Sequence, residues 1–403
     1  MLFKIRFVVW DDLVFKNQQR HIHKRCELLN YMKSTFNHIV IILLMVKLFI
    51  SCNQKHRSEN NGEYIILQDS IKQWIETDQL IGAELLVIEN KEVVLHQAMG
   101  WSDKDSGVKL EKGSIWTVMS MTKPFTATAI LMLIDDGFIT LDDPITDFFQ
   151  DFNGNQNITI KHLLAQSSGD DGKHGDGGNN VLDFDTLDDW ILDWANQKTK
   201  NNLGEFAYSN FNYGALAYIV EQVSEMSIES FIQERIIKPL NLKDTYVQFT
   251  PDSTWSKRVP SRYQWNEPQT IYEKTWGNNQ SQSWKFFTGS LGLWMSAEDY
   301  STFISMWINE GNYNGTQILK EATVMEALKM QVNAFGEELF GHGYGWFVDD
   351  KPKVFRYGGS AGSVGIGYPE KNSIVIYLTH CAGGNHKNKF QDELDRIWFP
   401  DNN

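Results

Sequence analysis

The chain has 403 residues, 42% hydrophobic and 22% charged, enough for two ordinary domains or one large α/β unit with a substantial core. A formal net charge of −14 repels nucleic acid and acidic lipid headgroups, which argues against both as electrostatic partners. No C-x-x-C pair marks structural zinc, so the fold must rest on packing.

In chain order, the first element is a targeting segment. "MKSTFNHIVIILLMVKLFISC" has a basic start at Lys33, an apolar stretch from Ile39 to Ile50, and Ser51 before Cys52, the layout of a secretory signal. It resembles the lipobox of bacterial lipoproteins, which makes residues 32–52 a signal peptide, Cys52 the lipidated mature terminus and residues 1–31 an upstream over-read. An uncleaved anchor and a buried helix are the other readings, although the run is short for a span and Lys47 interrupts it. Residues 53–64 are polar and aperiodic, a tether to the body. With Cys52 lipidated and Cys26 before the signal, Cys381 has no partner left for a disulfide.

The body, residues 65–403, opens with Leu67, Ile71, Trp74 and Ile75 at helical spacing, and "AELLVIENKEVVLHQAMG" then reads as two strands turning at Asn90-Lys91. Near the end, "KVFRYGG" and "GSVGIGYPEKNSIVIYLTH" give three more strands, followed by a helix with Phe390, Leu394, Ile397 and Trp398 on one face. Short connections imply antiparallel pairing. The expected class is α/β (α+β): an antiparallel sheet flanked by helices, built from both chain ends, with a mainly helical lobe inserted at about 117–334. A cleft between lobes is the default ligand site. The aromatic-rich segment Tyr263 to Phe287 reads as a long loop packed onto the body, or else a cover for that cleft.

The chemistry concentrates in "IWTVMSMTKPFTATAILMLIDDG", where Lys123 enters an apolar helical run three residues after Ser120. Pro124 belongs in a first turn, which places the helix start near Ser120, and i,i+3 spacing sets the amine beside the hydroxyl. A serine there gains an oxyanion-stabilising N–H and the positive end of the helix dipole. A buried lysine is expensive unless it serves such a neighbour. Ser106 and Lys109 spell the same S-x-x-K in a polar turn with no helix behind them. Further on, Tyr208-Ser209-Asn210 precedes a helix, and Tyr357-Gly358-Gly359 closes a strand.

In these three motifs the chain resembles the serine hydrolases related to class C β-lactamases, D,D-peptidases and esterases, which carry S-x-x-K, Y-x-N and a K-T-G, H-x-G or W-G-G element. The likeness runs from about Ile65 to Trp398 and includes "TLDDPITDFF", "ITIKHLLAQSSG", "PLNLKDT" and "GSLGLWMSAEDYSTFI". It implies Ser120 as nucleophile, Lys123 as its activator, Tyr208 as general base and Asn210 as orienting group. It also implies an oxyanion hole from the N–H groups of Ser120 and Ser360, with Tyr357, Gly358 and Gly359 forming the substrate-facing strand end.

Two departures stand out. Tyr357 replaces the usual lysine or histidine and offers a substrate carboxylate no fixed cation, while Arg356 should face the other way by strand alternation. The family's H-T-S-G segment reads Gln166-Ser167-Ser168-Gly169. "GGSAG" also satisfies G-x-S-x-G and nominates Ser360 as an α/β-hydrolase nucleophile, which would require a strand-to-helix elbow. His162, His174, His342, His380 and His386 show no ligand spacing, so neither metal nor cofactor is expected. The resulting expectation is a monomeric, lipid-anchored enzyme of the bacterial cell envelope that cleaves a small ester, amide or peptide through an acyl-enzyme. The alternatives are a β-lactamase or D,D-peptidase proper, and a non-catalytic envelope sensor.

Overall fold

The structure, a computed structural model, describes residues 64–149, 152–170, 172, 181–196, 202–334, 340–350 and 353–398. The signal with Cys52, the tether and His174 lie outside these residues. The chain divides into residues 1–64 and 65–403, and the second unit is the subject below.

Helix α1, over residues 64–76, buries Leu67, Ile71 and Trp74. Strands β1 (Gly82–Glu89) and β2 (Glu92–Asp103) meet at Asn90 and Lys91, whose φ values of 50° and 68° are the pair of positive angles a tight hairpin turn needs. After β3 (Val108–Lys109) the main sheet resumes late in the chain. It takes up β4 (Val332–Asn333), β5 (Phe340–His342), β6 (Phe347–Asp350), β7 (Lys353–Gly358), β8 (Val364–Tyr368) and β9 (Ser373–Thr379). The order is β4-β5-β6-β7-β8-β9-β1-β2-β3. The two halves join where β1 pairs antiparallel with β9, from Ala83↔Thr379 to Glu89↔Ser373. This is an α/β fold with an antiparallel sheet drawn from both ends of the chain.

Helices cover both faces. Along β9 side chains alternate, so Ile376 and Tyr377 point opposite ways. On the Ile376 side, α4 (Ala297–Ile308) packs so closely that a Cβ on Gly365, the partner of Ile376, would lie 2.4 Å from the Tyr300 ring. On the Tyr377 side, Phe390 of α5 (His386–Trp398) stacks on the Tyr377 ring with centroids 4.2 Å apart. Phe390 and Leu394 are buried as expected; the side chains of Ile397 and Trp398 lie outside the described residues.

Between the sheet halves, α2 (Lys123–Asp135) is buried from Lys123 through Leu133 and packs against α3 (Asn210–Ser224). Its polar groups are satisfied internally: the Thr126 hydroxyl donates to Gly289 O at 2.7 Å and that of Thr128 to Pro124 O at 2.7 Å. The segment read as a loop from Tyr263 onward instead forms a hairpin, Arg262–Asn266 with Ile271–Trp276, and its first strand pairs parallel with Cys381–Ala382. Apolar alternation did not reveal it because only Tyr263 and Trp276 are buried along its two strands; ladder hydrogen bonds hold the rest.

Glu84, fully buried on β1, bonds His96 Nε2 at 2.8 Å, Gly113 N at 3.0 Å and Trp116 Nε1 at 2.8 Å. With Glu298 this makes the cluster of ligand-type groups among the described residues, and hydrogen bonds already satisfy its buried carboxylate. Cys381 is a free, buried thiol. Among the described residues no helix is long and apolar enough to cross a membrane.

Candidate active site

Ser120 lies in a short 3₁₀ turn, Met119–Thr122, and α2 begins only at Lys123 with Pro124 in its first turn. The α-helix therefore starts three residues later than its sequence suggests. The i,i+3 argument survives, since side chains three apart eclipse in a 3₁₀ turn. Met119, just before Ser120, has φ of 50°, a left-handed conformation that a non-glycine residue adopts only when its surroundings impose it. Those surroundings are Val118 N to Leu293 O at 3.1 Å, Leu293 N to Thr122 Oγ1 at 3.2 Å, and the Tyr300 hydroxyl to Met121 O at 3.2 Å.

Lys123 is fully buried, and its ammonium donates to Ser120 Oγ at 3.3 Å, Asn210 Oδ1 at 2.8 Å and Ser290 O at 3.1 Å. The Ser290 carbonyl comes this near because Gly289 has φ of 70° and no side chain; a Cβ there would sit 2.4 Å from Tyr213 O. Nζ also lies 4.9 Å from the centre of the Tyr208 ring. Burial lowers the Lys123 pKa, opposed by the charge and hydrogen bonding of Tyr208. Burial raises the Tyr208 phenol, but the Lys123 charge, with hydrogen bonding to Lys123 and Ser120, outweighs it and leaves the phenol below its ordinary value. The two titrate as a unit: removing one proton from the pair leaves either amine with phenol or ammonium with phenolate.

Ser209 N-caps α3, its Oγ accepting from Phe211 N at 3.1 Å, so Tyr208 and Asn210 flank the cap. Beneath them, Gln166 is buried with φ of 57°, and its Oε1 accepts from Ser209 N at 3.0 Å and Asn212 Nδ2 at 2.7 Å. Asp170 Oδ2 accepts from Ser209 Oγ at 2.9 Å and Trp194 Nε1 at 2.7 Å. The Gln166 to Gly169 departure thus has a definite job: it is the platform for Tyr208 and Asn210. Its partners adjoin it only after folding, and its sole mark in the sequence was its place within the resembling segment.

From the other side, β7 ends at Gly358 and turns through Gly359 to Gly362. Gly359 is obligatory here, since a Cβ would lie 2.7 Å from Val118 O, next to the Ser120 turn. Tyr357 is only 1% exposed and sits among His342, Trp346 and Phe347, ring centroids 6.1, 6.4 and 5.4 Å away. Burial pushes its phenol far up. Ser360 is exposed and is followed by β8, not by a helix, which removes the nucleophile-elbow reading of "GGSAG".

Ser120, Tyr208, Tyr357, Gly358, Gly359 and Ser360 line one cavity of about 610 Å³, walled on its apolar side by Phe340, Phe347 and Val364. Arg356 lines it too, contrary to the expectation that it would face away. Alternation holds, as Arg356 pairs across the sheet with Phe347, but the cavity extends past the strand end and touches both faces. The guanidinium lies 4.6 Å from the Phe340 ring centre and 3.6 Å from Asp349 Oδ2.

A mixed α/β body that brings a serine, a buried amine and a phenol to the end of an antiparallel sheet is the build of a serine hydrolase. Residues 67–397 match the family model described as Beta-lactamase, and the chain belongs to that family. "Protein flp" of Staphylococcus aureus (strain MRSA252) is 28% identical over 285 residues, covering 69% of this chain and 54% of flp. The chain thus spans about half the length of that curated relative. Among solved structures, EstCE1, described as a hydrolase with promiscuous acyltransferase activity, superposes with a TM-score of 0.71 at 19% identity, covering 83% of this chain and 99% of that one. The octameric penicillin-binding protein homologue from Pyrococcus abyssi gives 0.70 at 24% identity, covering 83% and 77%.

Proposed function

We propose that the protein hydrolyses a small ester or amide through an acyl-enzyme formed on Ser120. The observation that carries this reading is the fully buried Lys123 ammonium, bonded to Asn210 and Ser290 O and 3.3 Å from the Oγ of Ser120, which lines the cavity. In the ammonium–phenolate form of the pair, the Tyr208 oxygen takes the Ser120 proton as Oγ bonds to the substrate carbonyl carbon. The backbone N–H groups of Ser120 and Ser360 hold the resulting oxyanion. Tyr208 then returns the proton to the leaving alkoxide or amine as its bond to carbon breaks. A water repeats the sequence on the acyl-enzyme and frees the acid; no cofactor enters any step. Asn210 keeps Lys123 aimed.

The apolar wall suits an acyl or aryl group, and Tyr357 supplies no cation, which favours a neutral substrate. Arg356 favours a second reading, in which a carboxylate-bearing substrate such as a β-lactam or peptide docks against its guanidinium. A fluorophosphonate probe tests the core claim: labelling should vanish in Ser120→Ala, and undiminished labelling would overturn the assignment. Fluorogenic penicillin and neutral acyl nitrophenyl esters then separate the two substrate classes.

The lipobox reading of Cys52 supports a lipid-anchored enzyme of the cell envelope. Radiolabelled fatty acid incorporated by the natural chain and lost in Cys52→Ser would support it; membrane association persisting in Cys52→Ser would end it.

A further inference from the structure

The site holds two phenols, and the mechanism above uses one. Tyr357 stands on β7 beneath the cavity, buried, with no hydrogen-bond partner for its hydroxyl within 3.5 Å. The same is true of the Gln166 Nε2 group. Which end of that amide is which is fixed: its oxygen accepts from a backbone N–H, that of Ser209, and from Asn212 Nδ2, so the nitrogen must be the end turned the other way. Tyr357 lies near enough to Gln166 and Tyr208 for both to act on its phenol. Two buried donors, each lacking a partner, therefore lie beside the phenol whose oxygen the mechanism requires to carry charge, and Tyr357 lines the same cavity as Tyr208. A buried polar group without a partner is expensive, and a hydrogen bond to an ionised acceptor is worth about twice a neutral one.

We propose that the Tyr357 hydroxyl, oriented by Gln166 Nε2, donates a hydrogen bond to the Tyr208 oxygen when that oxygen is ionised, making Gln166 and Tyr357 a positioning pair for the general base. The relay runs from Gln166 N–H to the Tyr357 oxygen and from Tyr357 O–H to the Tyr208 oxygen. No proton leaves Tyr357, whose own phenol burial holds far from ionisation. This gives a role to the position where a cation is absent: the tyrosine serves the base and not the substrate. The other ionisable groups bearing on Tyr208 and Tyr357 are Lys123 on α2, Tyr213 on α3 and His342 on β5. Tyr213 is held neutral by burial and His342 is neutral above about pH 3, so neither changes charge in the working range.

The inference rests on the acyl-enzyme reading, and its test is separable from that reading. In Tyr357→Phe the ring and its packing remain while the donor is lost. The acid limb of the kcat/KM profile for a neutral ester should move up by about one pH unit. In parallel, tyrosinate absorbance titrated in a Ser120→Ala background should show the lowest-titrating phenol moving up by the same amount when Tyr357→Phe is added. A packing role alone would lower the whole profile and leave both midpoints in place, which would overturn the proposal. If instead Ser120→Ala retains full activity, the acyl-enzyme reading itself has failed, whereas full activity in Tyr208→Phe would overturn the positioning pair by removing the base it serves.

Discussion

The sequence spells S-x-x-K twice, and the two copies could hardly differ more once folded. At Ser106 and Lys109 both side chains are exposed; the serine N–H caps Asp103 Oδ1 at 3.3 Å, and the ammonium rests 3.3 Å above the Trp101 ring. At Ser120 and Lys123 the ammonium is fully buried, its three hydrogen bonds go to three different segments, and the residue before the serine is held at positive φ. In the first copy water and an indole face answer the charge. In the second, burial and a neighbouring phenol make the proton negotiable. Spacing sets the side chains near one another; the surroundings decide whether chemistry results.

The contrast can be broken in several ways. Ser120→Ala should reduce ester turnover by about 10⁴-fold or more, while Ser106→Ala leaves it unchanged, as initial rates would show. Lys123→Met should lose about 10³-fold in kcat and lower the melting temperature, because it strands the buried Asn210 Oδ1 and Ser290 O acceptors; Lys109→Met should alter neither appreciably. Gln166→Leu strands the Ser209 and Asn212 donors and should destabilise the fold by about 1–3 kcal/mol in denaturant titrations. Acid offers a smaller effect. His342 is fully buried with its pKa pushed by burial down to about 3, so the unfolded chain binds a proton that the folded one refuses as pH falls below 6.5. Its contribution is complete above pH 6.5 and is lost on acidification toward about pH 3, roughly 2 kcal/mol of it by about pH 5. His342→Gln should flatten the stability–pH curve over that range; an unchanged slope would contradict it. Last, Arg356→Gln should raise KM severalfold for carboxylate-bearing substrates and leave neutral esters unaffected.

Much of this was legible before folding. Asn90-Lys91 declared the first hairpin, and the unbroken apolar run after Pro124 declared a buried helix. The S-x-x-K and Y-x-N motifs named the serine, amine and phenol that the fold brings together. What escaped was whatever depends on a backbone atom or on distant partners. The Ser290 carbonyl that holds Lys123 has no side-chain signature, although Gly289 beside it does. Gln166 gained meaning only when Ser209, over forty positions on, arrived above it. Arg356 was misplaced because strand alternation predicts a face, while a cavity at a strand end reaches around both. The 262–276 hairpin was missed because its pairing lies in main-chain groups that no composition reveals.

The seam between β1 and β9 also governs when the enzyme exists. Ile81 N meets Cys381 Sγ across 300 positions, and β9, the strand that joins the two halves, is among the last parts of the body to be synthesised. A ribosome-bound chain can carry the complete serine, amine and phenol while the platform they are pressed against is still being translated. Loss of the final strands would therefore leave Ser120, Lys123 and Tyr208 all present but without the sheet end that lines the cavity beside Ser120 and Tyr208.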